Sequence, residues 1–245
     1  MILQTEQGQF DLSKGYDLSI PVRRGPDSVE AFHIPHAQMS PFRAGPFVGS
    51  VPEGGACNCE NILFNAHGNG THTECVGHVS KAAHYLPDTL KKHFWIARLI
   101  SLEPVKQADG DALFLPDQFP DALPMALIIR TLPNSADKLY KKYSGTNPVY
   151  LHPDTATKLR LSGVRHLLID QPSVDREEDG GALAAHKNYW NYPANPRLDA
   201  TITELIFVPD EAKDGMYLLN LMCPVMETDA VPSKPMIYKR REEEK

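Results

Sequence analysis

Residues 66–78 of the chain have the sequence Ala-His-Gly-Asn-Gly-Thr-His-Thr-Glu-Cys-Val-Gly-His. Three histidines, His67, His72 and His78, and one carboxylate, Glu74, therefore fall within a short segment. Imidazole and carboxylate together suit zinc, manganese or iron, whereas calcium and magnesium prefer oxygen donors alone. The clustering of these donors around two glycines favours a metal site over a chance group of histidines.

The spacing of the polar side chains predicts the local geometry of this segment. On an extended strand, His72 and Glu74 leave the same face with Cα atoms roughly 6.6 Å apart. Two ligands at that separation can bind one ion through bonds of about 2 Å. A straight strand would carry His78 roughly 20 Å from His72, so we expect the chain to bend at Gly77.

Two glycines, Gly68 and Gly70, separate His67 from the predicted strand. Because glycine adopts positive φ at little cost, we expect this loop to curl back and to carry His67 toward the same ion. Catalytic zinc usually keeps three protein ligands plus water. An imidazole from this side would complete such a shell.

The composition of the chain narrows the class of function. Its 245 residues, 42% hydrophobic and 23% charged, are typical of a folded protein with one large core or two small ones. The formal net charge of -6 argues against a nucleic-acid partner, which requires a clustered basic surface. No run approaches the roughly 18 apolar residues of a membrane span, and the N-terminus lacks the order of a secretory signal. We therefore expect a cytoplasmic protein without a membrane partner, whose four cysteines are free thiols that pack as small hydrophobic residues.

Apolar runs of strand length outnumber helical patterns along the chain. Predicted strands lie at 16–21, 47–51, 62–66, 96–102, 126–131, 149–152, 166–169, 202–208 and 217–222. Predicted helices cover 87–95 and 154–162, and the rest of residues 1–60 is expected to be irregular because prolines interrupt it. No linker or repeat divides the sequence. The pattern predicts a strand-rich α/β fold in a single domain over residues 1–245, ending in a charged, solvated tail at 239–245.

The segment from Gly70 to His78 resembles the signature of the cyclase family of metal-dependent hydrolases, which includes bacterial kynurenine formamidase. That signature is H-x-G-T-H-x-D-x-P-x-H. Two flanking phrases are also similar: residues 17–19, Asp-Leu-Ser, match an N-terminal D-L-S, and residues 168–175, Leu-Ile-Asp-Gln-Pro-Ser-Val-Asp, resemble G-I-D-x-x-S-V-D. The order of these elements agrees with the family over most of the chain.

The resemblance implies a swivelling β/β/α fold and a centre of one or two divalent ions, with zinc expected and manganese as an alternative. It implies that His72 binds the first metal and that Glu74 bridges two metals. His186 and Glu204 would complete the shell of the second metal. His78 would then be the general acid/base rather than a ligand.

The sequence departs from the family pattern at several positions. Gly68 stands where the family has a histidine, and the nearest substitute is His67, one residue earlier. Glu74 is one methylene longer than the family's aspartate, and Val76 replaces a proline. Residues 188–199 form a longer stretch than usual, which is expected to be a lid or an oligomer contact. The predicted metal ligands are thus His67, His72, Glu74, His186 and Glu204.

The activity implied by the resemblance is hydrolysis of a small amide, either an N-formyl arylamine or a cyclic amide. Metal-activated water would attack the carbonyl carbon, and His78 would protonate the departing nitrogen. Two alternatives stay open: a lactone or imide hydrolase or cyclase that acts on a non-aromatic substrate, and a metal-binding protein without turnover. The expected partners are a small-molecule substrate and further copies of the chain, in a dimer or tetramer.

Four other polar residues have more than one interpretation. His33 and His36 could face the substrate or could lie in an ordinary surface loop. Asp170 and Asp175 could orient a ligand histidine through its second ring nitrogen, as carboxylates often do around metals. Asp175 could equally cap the following turn.

Overall fold

Alternating apolar side chains at the centre of a large sheet build the core of the protein, described here by a computed structural model over residues 1–241. In the strand Ala126–Thr131, Ala126 and Ile128 belong to one apolar cluster, and Leu127 and Ile129 belong to another. Successive side chains of a strand point to opposite faces. The central sheet is therefore buried on both faces, as parallel sheets are.

Strands greatly outnumber helices in residues 1–241. The strands are β1 Ile2–Thr5, β2 Gly8–Asp17, β3 Gln38–Pro41, β4 Arg43–Ala44, β5 Phe47–Val48, β6 Glu60–Leu63, β7 His72–Glu74, β8 Phe94–Leu102, β9 Val105–Lys106, β10 Ala112–Phe114, β11 Ala126–Thr131, β12 Tyr150–Leu151, β13 His166–Ile169, β14 Thr201–Glu204, β15 Gly215–Met222, β16 Ala230–Pro232 and β17 Lys234–Arg240. The α-helices are α1 Ala66–Asn69, α2 Leu86–Thr89, α3 Pro153–Leu161 and α4 Ala184–Trp190. Short 3₁₀ turns occupy Val51–Glu53, Val76–His78, Pro116–Gln118 and Ala136–Leu139.

Ten of the strands form one mixed sheet in the order β1-β2-β17-β15-β8-β11-β13-β14-β7-β16. Strands β8, β11, β13 and β14 run parallel to their neighbours in this group, and the other pairs are antiparallel. Helices α3 and α4 pack together on one face, where they supply Ala156, Leu159, Ala185, Tyr189 and Trp190 to the core. The prediction of a strand-rich α/β fold is confirmed.

Several local predictions are corrected by the structure. The helix predicted at 87–95 stops after α2, because β8 already begins at Phe94 and pairs with β11 and β15. Residues 2–17, expected to be largely irregular, form the hairpin of β1 and β2, whose mostly polar residues hide the strand pattern. Lys239 and Arg240, at the start of the predicted solvated tail, are exposed but belong to β17, and residues 242–245 lie outside the described residues. The helix predicted at 154–162 is confirmed as α3.

The structure also bears on the state of the cysteines and on whether any helix could span a membrane. All four cysteines are free thiols, as predicted, but only Cys75 is fully buried, and Cys57 and Cys59 are exposed. Packing therefore explains Cys75 and does not explain the Cys57–Cys59 pair. Among residues 1–241, every helix is too short or too polar to cross a bilayer.

Strand β7 brings the central motif into the sheet between β14 and β16. In this register His72 lies opposite Glu204, and Glu74 lies opposite Ala230 on the other neighbour. Thr73 points to the other face, where its Oγ1 lies 2.8 Å from Oγ1 of Thr203. The predicted strand at His72–Glu74 is confirmed, and its pairing explains how residues far apart in the chain meet.

His166, on β13, is a buried histidine outside this motif. Its Nδ1 lies 2.9 Å from Oγ1 of Thr201, its Nε2 has no hydrogen-bond partner among the described residues, and its ring centroid lies 4.1 Å from that of Trp95. Burial lowers the pKa of His166 to about 4. The surrounding charges act in both directions: Asp199 raises this pKa, and Arg165 and Arg197 lower it.

We expect His166 to make the protein less stable as the pH falls. The unfolded chain binds a proton at this histidine near pH 6.5, whereas the folded chain binds it only near pH 4. The free energy of unfolding should therefore decrease between these values, by up to about 1.4 kcal/mol per pH unit. Urea unfolding of wild type and His166→Asn at pH 7 and pH 4.5 measures the free energy of unfolding of both proteins. Between pH 7 and pH 4.5, wild type should lose more of this free energy than the variant does. The same exchange at the exposed His33 is the control, and a pH-independent difference for His166→Asn would contradict the prediction.

Candidate metal centre

An inner group of buried metal-binding side chains lies on strand β7 and beside it. Ligand atoms of His72, Glu74 and Glu204 all lie within 4.8 Å of one another. His72 Nε2 lies 3.3 Å from Glu204 Oε2, and His186 Nε2 lies 3.0 Å from Glu74 Oε1 and 3.6 Å from Glu204 Oε1. The backbone N–H of Val174 donates a hydrogen bond of 2.9 Å to Glu204 Oε1 and holds that carboxylate in place. Four of the predicted ligands therefore converge in the structure.

The two inner histidines are each oriented through the ring nitrogen that faces away from this group. His72 Nδ1 lies 3.1 Å from the carbonyl oxygen of Gly70. His186 Nδ1 lies 2.6 Å from Asp175 Oδ2, and that carboxylate also accepts the backbone N–H groups of Ala185 and His186. Such outer contacts set which nitrogen of a histidine is free to bind a metal. In both rings the free nitrogen is Nε2, on the side of the carboxylates.

An outer group lies on the other oxygen of Glu74. His67 Nδ1 is 3.2 Å and His78 Nδ1 is 3.6 Å from Glu74 Oε2, and ligand atoms of the three residues lie within 4.8 Å of one another. Both histidines are partly exposed, whereas Glu74 is fully buried. Glu74 thus turns one oxygen to each group, which is the arrangement needed for a bridging carboxylate.

The electrostatics of the centre favour a cation. Burial alone would lower the pKa of His186, but the charge of Glu74 and the contacts with Asp175 and Glu204 raise that pKa well above its usual range. Burial likewise opposes protonation of His67, yet Asp229 and Glu74 raise its pKa to about 10. The attraction of the carboxylates for a positive charge exceeds the cost of burying that charge. The centre therefore stabilises a bound cation or a protonated histidine.

Two buried ligand atoms of the centre, His72 Nε2 and Glu74 Oε2, make no well-directed hydrogen bond among the described residues, although His72 Nε2 lies 3.3 Å from Glu204 Oε2 and Glu74 Oε2 lies 3.2 Å from His67 Nδ1. A buried polar atom without a partner costs roughly 1–3 kcal/mol, so such atoms call for an explanation. Both point at other donors and both carry lone pairs that could bind a metal. The donor set of imidazoles and carboxylates, together with these two atoms, fits a divalent cation.

Position 68, beside His67, has no room for a side chain. Gly68 lies in α1, where an added Cβ would lie 2.8 Å from Ile34 Cβ and 2.9 Å from the carbonyl oxygen of Ala31. Gly70 is extended, with φ of 166°, so neither glycine uses positive φ and that part of the prediction is wrong. A side chain at position 68 would point into residues 31–34, whereas His67 points toward Glu74.

The other candidate residues lie elsewhere. Asp170 does not orient a histidine, because its oxygens accept hydrogen bonds from Thr131, Lys138 and Gln171 instead. His33 is exposed, and His36 Nδ1 lies 3.1 Å from Ser28 Oγ. Asp175, in contrast, holds His186 as described above.

The stretch at 188–199 is anchored to the body of the protein by one arginine. Arg197 donates hydrogen bonds to the carbonyl oxygens of Tyr189 and Val164, and its backbone N–H donates to that of Trp190. Trp190 is fully buried, with its ring centroid 5.5 Å from that of His186. This stretch therefore supports the His186 ring from behind.

Asp229 is the residue of the centre that the sequence did not reveal. Its Oδ2 lies 3.4 Å from His67 Nε2 and 3.5 Å from His78 Nδ1. Contacts with these histidines hold the pKa of Asp229 well below its usual range, although burial opposes the effect. Asp229 immediately precedes β16, the edge strand beside β7, and only this pairing indicates that it belongs to the site.

An open cavity of about 370 Å³ adjoins the outer group. Its lining is Ile62, Leu63, Phe64, Asn65, Ala66, His67, Met226, Thr228, Asp229, Ala230 and Pro232. Apolar side chains form most of this lining, and none of the lining residues is a lysine or an arginine. The cavity has room for a small organic molecule next to the histidines.

Solved structures share this fold across nearly the whole chain. A structure described as a potential metal-dependent hydrolase with cyclase activity superposes with a TM-score of 0.67 at 16% identity, over 94% of this chain and 99% of that one. A predicted metal-dependent hydrolase from Bacillus stearothermophilus gives 0.64 at 16% identity, over 93% and 98% of the two chains. Isatin hydrolase A from Labrenzia aggregata, bound to benzyl benzoate, gives 0.62 at 14% identity, over 93% and 94%. At such identities the similarity establishes the fold.

The family is established by sequence. No curated protein matches the chain. The model of the Cyclase family, described as "Putative cyclase", matches residues 16–176, which is more than half of the chain and includes the whole segment from His67 to His78. His186, Glu204 and Asp229 lie beyond the matched residues, and the structure brings them to that segment. The chain belongs to the Cyclase family.

Proposed function

We propose that this protein is a metal-dependent hydrolase of small neutral amides, with N-formyl arylamines and cyclic amides as the substrate class. The observation on which the proposal rests is the pair of buried atoms without a well-directed hydrogen bond, His72 Nε2 and Glu74 Oε2, within a group of imidazoles and carboxylates. Membership of the Cyclase family supports it, as do neighbouring folds described as metal-dependent hydrolases.

The inner ligands would be His72, Glu74, His186 and Glu204, and His67 would join Glu74 at a second ion. Zinc is the proposed metal, since imidazole and carboxylate donors suit it, and manganese is the alternative. An ion of this kind supplies Lewis acidity, which polarises a carbonyl oxygen and lowers the pKa of water.

The protein's own groups would position the reaction and move its protons. Gly70 and Asp175 fix the rings of His72 and His186 through their Nδ1 atoms, so the ligand nitrogens are oriented before any substrate binds. His78 is partly exposed at the edge of this group and can exchange protons with a bound molecule. An amide nitrogen is a poor leaving group unless it is protonated, so His78 would take a proton from the attacking water and donate it to that nitrogen.

The cavity beside His67 supports the choice of substrate. Its apolar lining, with Ile62, Phe64 and Met226 among the wall residues, would hold an apolar body while the amide reaches the histidines. Without a lysine or arginine in the lining, a carboxylate on the substrate would find no cationic partner there. Isatin, a cyclic amide, gives its name to the activity of two proteins of the same fold.

Metal analysis of protein purified without added metal, joined to a substrate screen, tests the proposal. The screen compares formylated arylamines and cyclic amides with lactones and imides, and each neutral amide with an analogue that carries a carboxylate. We expect at least one bound divalent ion per chain and hydrolysis of a neutral amide that a chelator abolishes. Hydrolysis only of lactones or imides would replace the substrate class, and metal binding without any turnover would leave a metal-binding protein.

The role of His67 in a second metal site can be tested by metal stoichiometry. We expect wild type to bind two zinc ions per chain and His67→Ala to bind one, because the outer group loses the ring that lies 3.2 Å from Glu74 Oε2. Titration calorimetry under identical buffer conditions gives both numbers. An unchanged stoichiometry in His67→Ala would mean that His67 is not a ligand.

A further inference from the structure

Asp229 occupies a fixed place between the sheet and the outer histidines. Its backbone carbonyl accepts the N–H of Cys75 at 3.0 Å, and the next residue, Ala230, lies opposite Glu74 in the register of β16 and β7. The hydroxyl of Thr228 lies 3.2 Å from Asp229 Oδ1. Gly77 lets the two segments approach, because a Cβ there would lie 3.0 Å from Asp229 Cβ. The hydroxyl of Thr228 thus contacts the carboxylate itself, while Cys75 and the pairing of β16 with β7 fix the backbone at residues 229–230.

The carboxylate of Asp229 faces one ring nitrogen of His67 and one ring nitrogen of His78. His67 lies between two carboxylates, with Nδ1 3.2 Å from Glu74 Oε2 and Nε2 3.4 Å from Asp229 Oδ2. His78 meets both carboxylates through the same nitrogen, since its Nδ1 lies 3.6 Å from Glu74 Oε2 and 3.5 Å from Asp229 Oδ2. A neutral imidazole has one N–H and one lone pair, and the partner of the N–H decides which nitrogen carries it.

We propose that Asp229 is a positioning residue that determines which ring nitrogen of His67 and of His78 carries the proton. By accepting the Nε2–H of His67, it leaves Nδ1, on the Glu74 side, as the ring nitrogen whose proton a metal ion would replace. By accepting the Nδ1–H of His78, it leaves Nε2 of that ring free to exchange a proton with substrate. This second consequence rests on the proposed function, whereas the first concerns metal binding alone.

The geometry distinguishes this role from direct coordination by Asp229. Among residues 1–241, two groups of donors have ligand atoms within 4.8 Å of one another: one is His67, Glu74 and His78, and the other is His72, Glu74 and Glu204. Neither group includes Asp229. Asp229 and Glu74 lie at opposite nitrogens of the His67 ring. A carboxylate behind a ligand histidine raises the basicity of the ring and fixes its orientation.

Two variants and two measurements that need no substrate test the proposal. Asp229→Ala removes the acceptor, and Asp229→Asn keeps an acceptor oxygen and the size of the side chain but loses the charge. Asp121→Asn, at a carboxylate that is 99% exposed, is the control. Zinc affinity is measured by competition with a coloured chelator. The ring nitrogens of His78 are observed by ¹⁵N NMR at pH 8, in the zinc-loaded and the zinc-free protein.

We expect Asp229→Ala to bind zinc about 10–100-fold more weakly than wild type, the usual effect of removing such an outer partner. His78 should carry its proton on Nδ1 in wild type and in Asp121→Asn, and should shift toward the Nε2–H form in Asp229→Ala, with Asp229→Asn between them. Zinc affinity within twofold of wild type together with an unchanged His78 proton position would overturn the proposal. Because neither measurement uses turnover, a failure to hydrolyse amides would count against the proposed function and leave this result standing.

Discussion

Replacing Glu74 with glutamine should abolish metal binding at both groups of the centre. Glu74 turns Oε1 toward His186 and Oε2 toward His67 and His78, so a single neutral amide removes the charge that both groups share. Loss of an outer partner alone typically weakens metal affinity about 10–100-fold, and loss of a shared ligand should exceed that. Hydrolytic activity should fall to the uncatalysed background together with the metal content.

Two companion variants sharpen this measurement. Glu74→Asp retains the charge but withdraws it by one methylene, so we expect weaker metal binding rather than none. Glu103→Gln makes the same chemical exchange at an exposed residue just after β8 and should bind metal as wild type does. Wild-type zinc affinity and stoichiometry in Glu74→Gln would show that the bridging role is wrong.

Replacing His78 with alanine should separate metal binding from catalysis. We expect the variant to retain nearly all of its metal, since His72, Glu74, His186 and Glu204 remain. Its kcat should fall by about 10²–10⁴, the usual share of general acid–base catalysis, with a smaller change in KM. Metal analysis and steady-state kinetics on the same preparation give the comparison, and His33→Asn, at an exposed histidine, should leave both unchanged.

The opposite outcome for His78 has a structural meaning. Its Nδ1 lies 3.6 Å from Glu74 Oε2, within reach of the outer group of donors. If His78→Ala loses metal and recovers activity when metal is added in excess, then His78 is a ligand rather than the acid/base. Another group would then have to protonate the leaving nitrogen.

The part of the centre that could be predicted from sequence is the part encoded by strand geometry and by the order of motifs. His72 and Glu74 share a face because they are two residues apart on a strand, and that parity is visible in the sequence. His186 and Glu204 are expected at the centre only from the order of motifs in the family. In the structure, α4 brings His186 to Glu74, and β14 brings Glu204 to His72. The contact of Glu204 with His72 depends on the pairing of β7 with β14.

What could not be predicted depends on contacts between distant segments. Asp229 enters the site only because β16 pairs with β7, and nothing in its own sequence neighbourhood marks it. Asp170 and Asp175 lie in one phrase, yet Asp175 contacts His186 and Asp170 contacts Lys138. The hairpin of β1 and β2 could not be predicted from the sequence, because strands at an exposed sheet edge do not require a regular alternation of apolar residues.

The crowding at Gly68 makes the residue that position 68 can accept depend on residues 31–34. The family pattern has a histidine where this chain has Gly68, and a Cβ at that position would lie 2.8 Å from Ile34 Cβ. A single exchange back to histidine would therefore collide with residues 31–34 before it could provide a ligand. A histidine at position 68 would require residues 31–34 to move, because the carbonyl oxygen of Ala31 would lie 2.9 Å from the added Cβ whatever side chain stands at position 34. Packing outside the centre therefore favours position 67 for the imidazole that contacts Glu74.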